Sequence, residues 1–324
     1  MSELRIALLG CGFATRLHSR TLRKRDGVAR FYASRDGARA EDYCRRYDGE
    51  GHFASYEAAF ADPSIDVVLI ATPPSSHLAL TLTALDAGKH VIVEKPPYLR
   101  SADFTEVEAR SARAGRRVLV AENYFYKPLI AKLREVIAAG TIGEVRILSV
   151  NALKEQRTDG WRDRPELAGG GALFEGGIHW VNFMANLGLT VTGVHGFRPG
   201  TDAGPEKTMV VVFEYLEGAV GTLYYSWEIG SPTKGLRLSS IYGSEGAITF
   251  ESNGLVVGTR GRHRRLSMPR PRDLLGYGAM FDDFFDAIRT GRPARFELAD
   301  ARSDLELVER IYDSAASNTR SPHE

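Results

Sequence analysis

Apolar residues in the first third of the chain come in short solid runs separated by stretches with helical spacing. Leu4 to Leu9, Ala29 to Ala33, Val67 to Ala71, His90 to Val93 and Val118 to Ala121 are the solid runs. Thr15 to Arg25, Ala38 to Tyr47, His77 to Ala87 and Ala102 to Ala114 are the helical stretches; Gly88 stops the third, and Glu106 precedes Arg110 by four residues in the fourth. Buried-type strands alternating with helices predict βαβ units and a parallel sheet covered on both faces. The pattern then changes. A helix over Pro128 to Ala139 ends at Gly140, and from Val145 strands follow one another. Thr208 to Leu216 and Ala219 to Trp227 flank Glu217-Gly218, a hairpin signal, and Leu236 to Tyr242 and Ala247 to Phe250 form a similar pair. Helices over Tyr277 to Thr290 and Ala299 to Ala315 close the pattern, the latter with an apolar stripe of Leu305, Val308 and Tyr312. The predicted fold is α/β: a doubly wound parallel sheet over 1–122, then an α+β domain over 123–324 with a large, mostly antiparallel open sheet.

Composition narrows the function classes. A hydrophobic content of 43% fits an ordinary globular chain, and a net charge of +1 gives no broad attraction to nucleic acid or anionic membrane. The locally basic stretch Arg262 to Arg272 reads as a solvated loop or hairpin. No apolar run approaches the ~18 residues of a membrane helix, and Met-Ser-Glu-Leu-Arg leads straight into a strand without a signal-peptide pattern. Cys11 and Cys44 make neither a disulfide framework nor a metal spacing, so a reducing compartment, most simply the cytoplasm, is expected. The scattered histidines predict no metal site, and no nucleophile-elbow hydrolase signature occurs.

The first chemical motif is Gly10-Cys11-Gly12, which leaves the first strand and opens the first helix. There Gly10 permits a tight turn, and Gly12 lets the backbone approach a pyrophosphate stabilised by the helix N-terminus. Phe13 and Ala14 continue that turn, and Thr15 stands at the third glycine position of the dinucleotide fingerprint. The second strand ends at Ser34-Arg35-Asp36. A small hydroxyl followed by arginine suits the 2′-phosphate of NADP, whereas Asp36, if it held the acidic position, would suit NAD.

Three further segments complete a pattern. Ala71-Thr72-Pro73-Pro74-Ser75-Ser76-His77 follows a strand. Glu94-Lys95-Pro96 ends another, and Gly169-Gly170-Gly171 leads through Glu175 to His179. With Gly10-Cys11-Gly12 and Gly140-Thr141-Ile142-Gly143-Glu144-Val145, their order and spacing strongly resemble the Gfo/Idh/MocA oxidoreductases across nearly the whole chain. The resemblance implies an NAD(P)-dependent dehydrogenase or reductase of a sugar, cyclitol or related polyhydroxy compound. It implies that Lys95 contacts both substrate and nicotinamide, that Glu94 and Pro96 shape its turn, and that Thr72, Pro73 and His77 line the nicotinamide pocket. A lysine at the carboxyl end of a parallel strand can stabilise developing alkoxide charge. A histidine suits proton transfer near neutrality. Glu175, one helical turn before His179, would orient the imidazole or bind substrate. Asn123, Tyr124 and Tyr126 after the last strand, and Arg157, Trp161 and Arg162 before the glycine run, are further substrate-binding candidates; an aromatic such as Tyr124 would stack on a sugar or join the core. The chain departs from the family pattern at Glu175 and Asn182, where aspartates are frequent. Two other readings stay open: a coenzyme-sensing regulator without turnover, and a dihydrodiol dehydrogenase or biliverdin reductase-like enzyme. The resemblance also implies a homodimer or homotetramer formed through the exposed face of the second sheet.

Overall fold

The computed structural model describes residues 3–158, 160–200, 204–231, 233, 235–261, 264–268 and 273–318, and the chain falls into two units. The first contains residues up to Glu122 together with Met280–Arg302. Its strands are β1 (Leu4–Leu9), β2 (Val28–Ala33), β3 (Gly51–Phe53), β4 (Val67–Ile70), β5 (His90–Val93) and β6 (Val118–Val120). They form one parallel sheet in the order β3-β2-β1-β4-β5-β6. The order reverses beside β1, and in such sheets the crevice outside the strand ends at that reversal is where ligands bind. The solid apolar runs are explained by burial: Ile6, Leu8, Val68, Leu69, Ile92 and Val93 are inaccessible to solvent, each contributing about 1.5–3 kcal/mol by leaving water. Helices α1 (Phe13–Leu22), α2 (Gly37–Arg46), α3 (Tyr56–Ala61), α4 (His77–Asp86) and α5 (Asp103–Ala114) connect the strands. Asp36 caps α2 by accepting the Ala38 and Arg39 N–H groups, Ser55 caps α3, and left-handed Gly115 ends α5.

The second unit contains Asn123–Ala279 and residues from Ser303 on. Helices α6 (Pro128–Ala138), α7 (Pro165–Ala168) and α8 (Ile178–Ala185) accompany β7 (Val145–Leu153), β8 (Val191–Phe197), β9 (Thr208–Tyr215), β10 (Val220–Ser226), β11 (Leu238–Gly243), β12 (Ala247–Glu251), β13 (Val257–Arg260) and β14 (Arg264–Ser267). Their order is β14-β13-β12-β11-β7-β10-β9-β8, antiparallel except where β7 meets β10. The hairpin expected around Glu217-Gly218 forms, but Thr208 faces Ser226 and Tyr215 bonds Ala219, so its loop is the three residues Leu216-Glu217-Gly218 and not two. One sheet face is core: Leu148, Val150, Val211, Phe213, Leu223, Tyr225, Ile241 and Phe250 are buried, with Phe183 of α8 packing on Phe250. The other face carries exposed apolar side chains, and the register sets Tyr242, Ile147 and Val220 in one row across β11, β7 and β10. The basic stretch contributes β14 to a hairpin with β13; its residues 262, 263 and 269–272 lie outside the described residues.

One expectation needs correction. The region after 122 is not all second domain, because residues 280–302 belong to the first unit. The physical reason is the apolar face of α9 (Tyr277–Thr290), where Met280, Phe281, Phe284 and Phe285 are buried. Phe281 meets the His18 ring edge-on at 5.4 Å, Asp282 pairs with Arg25, and Arg289 donates to the Gly27 carbonyl. The last helix, α10 (Leu298–Ser317), continues into the second unit. Among the described residues no helix is long and apolar enough to cross a membrane.

The two glycines of the first turn have different jobs. Gly10 has φ +93°, and a Cβ there would sit 2.8 Å from the Ala71 carbonyl oxygen at the end of β4. At Gly12 a Cβ would meet nothing within 4 Å. Gly10→Ala is therefore expected to cost roughly 2–5 kcal/mol in urea unfolding, from backbone strain plus overpacking. Gly12→Ala should change stability by less than about 0.5 kcal/mol yet weaken dinucleotide binding in a fluorescence titration. Equal destabilisation by both substitutions would refute this division.

Candidate functional site

The glycine turn is tied down by side chains that the dinucleotide fingerprint does not include. Thr15, fully buried, donates its hydroxyl to the Gly10 carbonyl at 2.5 Å. That bond takes the place of the close packing a third glycine permits. From α2, Arg39 donates to the Cys11 carbonyl at 3.0 Å and Tyr43 donates to the Gly12 carbonyl at 3.1 Å. Burial pushes the Cys11 thiol up to about 11, against the Arg39 charge, so it stays protonated and unreactive at neutral pH. Phe13 is 59% exposed, with the Arg16 guanidinium 5.0 Å from its ring centroid. The open space over Gly12 and a first helical turn without acids fit a pyrophosphate.

At the end of β2, Ser34 is buried and its hydroxyl accepts the Asp36 N–H at 3.1 Å. The Asp36 carboxylate is engaged in capping α2; Arg35 and Arg39 are exposed on the same segment, with Arg39 bonded to the glycine turn. Arg39 and Tyr43 were invisible to motif reading, though their four-residue spacing after Asp36 puts them on one face of the capped helix.

Two buried histidines fasten the turns after β4 and β5. His77 begins α4, and its Nδ1 and Nε2 lie 2.9 Å and 2.8 Å from the carbonyl oxygens of Pro96 and Thr72. Burial holds its pKa below the usual histidine value, opposed by the two carbonyls and by Glu94. Its ring thus lies between the Thr72-Pro73-Pro74 turn and the Glu94-Lys95-Pro96 turn, and in its neutral form donates its one N–H to one of the two carbonyls. The Thr72 hydroxyl bonds Ser76, inside the same turn as Pro73. His18 of α1 contacts Glu94 with Nε2 and Oε1 2.6 Å apart, while the other Glu94 oxygen accepts the Lys95 N–H at 3.0 Å. Glu94 is only 7% exposed. Lys95, partly exposed, therefore leaves β5 on a backbone held at both sides, with a cis peptide before Pro96. His18 escaped the sequence reading. Its signal was a run of polar residues, Thr15, His18 and Ser19, on the buried face of α1.

In the second unit, the glycine run leads into a π-helical turn over Leu173–Gly177 that carries Glu175, followed by α8 with His179. Single π turns are frequent at functional sites. Glu206 makes this one possible. It is buried, accepts the Leu173 N–H and the Tyr312 hydroxyl at 2.8 Å each, and Tyr312 in turn accepts the Phe174 N–H. A Cβ on Gly171 would collide with the Glu206 carboxylate, which explains a glycine there. Burial raises the Glu206 pKa against these donors.

Glu175 accepts two bonds from Arg162, at 3.0 Å and 3.2 Å, and Arg162 stacks over Trp161 at 4.3 Å. His179 stacks on Tyr124 with centroids 4.3 Å apart and planes 10° from parallel. One face of the Tyr124 ring is thus covered by the imidazole. Asn123 and Tyr126 are buried, and the Asn123 amide donates to the Leu275 carbonyl at 2.6 Å. Arg157 is exposed on the segment after β7. Asn182 is fully buried and donates to the Asp304 carboxylate of α10 at 2.7 Å. An aspartate in its place would set two carboxylates together, which accounts for the amide. Among the described residues no three metal-ligating side chains cluster.

A model of an oxidoreductase family with an NAD-binding Rossmann fold matches residues 4–122, and the GFO/IDH/MocA C-terminal domain matches residues 130–249. D-xylose 1-dehydrogenase (NADP(+)) of Hypocrea jecorina is 38% identical over 155 residues, which is 44% of this chain and 39% of that protein. Human trans-1,2-dihydrobenzene-1,2-diol dehydrogenase is 28% identical over 255 residues, 74% of this chain and 72% of that one. The match to the bovine enzyme of the same name spans 57% of its length. Levoglucosan dehydrogenase in complex with NADH and levoglucosan has the same fold, with a TM-score of 0.84 over 98% of both chains at 23% identity. By its nucleotide-binding unit, its second-unit sheet and its matched motifs, this chain belongs to the Gfo/Idh/MocA oxidoreductase family.

Proposed function

We propose that the chain is an NAD(P)-dependent oxidoreductase exchanging hydride between nicotinamide and a secondary alcohol or ketone of a sugar, cyclitol or related polyhydroxy compound. The observation that carries this reading is Lys95, partly exposed at the carboxyl end of β5, on a turn fixed by Glu94 and His77. When bound, the coenzyme supplies the hydride acceptor or donor; the protein supplies orientation and proton handling. Lys95 would hydrogen-bond the reacting oxygen and stabilise its developing charge. His179 would move the hydroxyl proton. Glu175, in its ion pair with Arg162, would offer a polar edge to neighbouring hydroxyls, with Trp161 beside it. A regulator without turnover would have no use for a lysine so tightly positioned.

NADP is the coenzyme favoured by Ser34, Arg35 and Arg39, since Asp36 is committed to its helix. The exposed row of Tyr242, Ile147 and Val220, with Tyr224 and Leu238 on the same face, supports a homodimer or homotetramer. Two free cysteines and no broad surface charge fit a cytoplasmic enzyme of small molecules.

A panel containing D-xylose, levoglucosan, inositols, their keto forms and trans-1,2-dihydrobenzene-1,2-diol, followed by nicotinamide absorbance with both coenzymes, tests the activity. Lys95→Met should lower kcat by about 10²–10³-fold, the loss seen for one transition-state donor, while coenzyme binding persists; near-normal turnover would overturn its role. Arg35→Ala should raise the KM for NADP by about tenfold, the worth of one charge-assisted bond, and leave NAD unaffected. Parallel effects on both coenzymes would reject a 2′-phosphate contact. Light scattering should give a dimer or tetramer that Ile147→Glu dissociates, and a monomeric parent chain would contradict the interface.

A further inference from the structure

Tyr124 sits in the 3-10 turn Asn123–Tyr126 of the second unit, and its ring is held by more than packing. His179 lies parallel to it at 4.3 Å. Trp180, the next residue of α8, meets it edge-on at 5.3 Å and 78°. The Lys127 ammonium is 4.2 Å from its centroid, and the Lys127 N–H donates to the Tyr124 carbonyl at 3.0 Å. Lys127 is only 2% exposed. Trp180 is itself steadied by Phe183 at 5.5 Å and by the Arg237 guanidinium at 5.6 Å from its ring centroid.

An ammonium over an aromatic face is attracted by the ring quadrupole, so Lys127 holds the Tyr124 ring in place. Tyr124 is not a core residue, since it and His179 are both partly exposed. The second torsion of a histidine is intrinsically broad, so an unsupported imidazole samples many planes. Proton transfer requires a ring nitrogen to point along its own plane at the partner oxygen. A parallel stack at van der Waals distance removes that freedom.

We propose that Tyr124 is a positioning residue for His179, its ring anchored by Lys127 and Trp180 so that it sets the plane of the imidazole. This rests on the reading of His179 as the proton-transfer group. The stacking does not need the tyrosine hydroxyl, so phenylalanine should serve and an aliphatic side chain should not.

The full-length protein, labelled with carbon-13 histidine, gives the direct test. His179 signals are assigned by their disappearance in His179→Asn. In the parent chain the Tyr124 ring current should hold the His179 ring protons upfield. Tyr124→Phe should keep that shift, and Tyr124→Leu should lose it. On the best compound of the panel above, Tyr124→Leu should lower kcat by roughly tenfold to a hundredfold, the scale of a misplaced catalytic group. Its KM should stay within about threefold, and Tyr124→Phe should restore the rate. If the leucine variant fails to fold, Tyr124→Met replaces it in both measurements.

Unchanged His179 signals in the aliphatic variant, or an unchanged kcat, overturn the proposal. So does an equal loss in Tyr124→Phe, which would assign the work to the hydroxyl. If His179→Asn itself turns over normally, the proton-transfer reading fails instead. If His179→Asn is inactive while Tyr124→Leu is normal, only the positioning inference fails. If no panel compound is turned over, the ring-current measurement alone decides whether the stack forms.

Discussion

Backbone polar groups at the carboxyl ends of parallel strands leave the hydrogen-bond ladder and enter turns, and buried ones must find partners there. In the first unit several of these partners are side chains, most of them from neighbouring helices. Thr15 satisfies Gly10, Arg39 satisfies Cys11, Tyr43 satisfies Gly12, and His77 spans Thr72 and Pro96. Glu94 accepts the Lys95 N–H and reaches back to His18. These bonds do two things together. They remove the cost of unpaired polar groups, and they lock the strand-end turns from which Lys95 and the glycines project. A rigid first turn for a pyrophosphate and a rigid base for a reacting lysine follow from one constraint.

The second unit meets a similar demand by other means. A π turn has poor local satisfaction of its backbone, and Glu206 with Tyr312 supplies the missing partners from a distant strand approach and from the last helix. The altered turn changes the relation of Glu175 to His179 from the simple one-turn spacing that their sequence separation suggests. Glu175 then finds Arg162, and His179 finds Tyr124. The acid and the histidine of one motif thus acquire separate partners. Asn182, which looked like a chemical departure, answers to Asp304 in the interior instead.

The fold was largely legible because burial on both faces of a parallel sheet forces solid apolar runs, and because turn residues mark their ends. β1, β4, β5, α4 and α5 lie within a residue of the patterned segments, and α1 is displaced by two residues at its start and three at its end. Short elements escaped: β3 and α3 span three and six residues, too few for a period to declare itself. The return of residues 280–302 to the first unit escaped for another reason. An amphipathic helix announces that it has a buried face, but not which surface will cover it.

Sequence alone determined the residue types that chemistry requires and their order: a glycine turn after the first strand, a lysine at a strand end, a histidine after a glycine run. Those depend on local backbone needs, and local needs leave local marks. Tertiary structure decided which of these side chains remain available and which are consumed. His77, Asp36, Asn123 and Asn182 carry the right groups for ligand binding, yet each has a polar atom engaged by a carbonyl, a helix N-terminus or a buried acid. His18, Arg39, Glu206 and Tyr312 belong to no motif, yet they hold the motifs in shape. Partners many residues apart in the chain, as His18 is from Glu94 and Glu206 from Tyr312, are set by how helices cross a sheet. No spacing rule along the chain records that geometry.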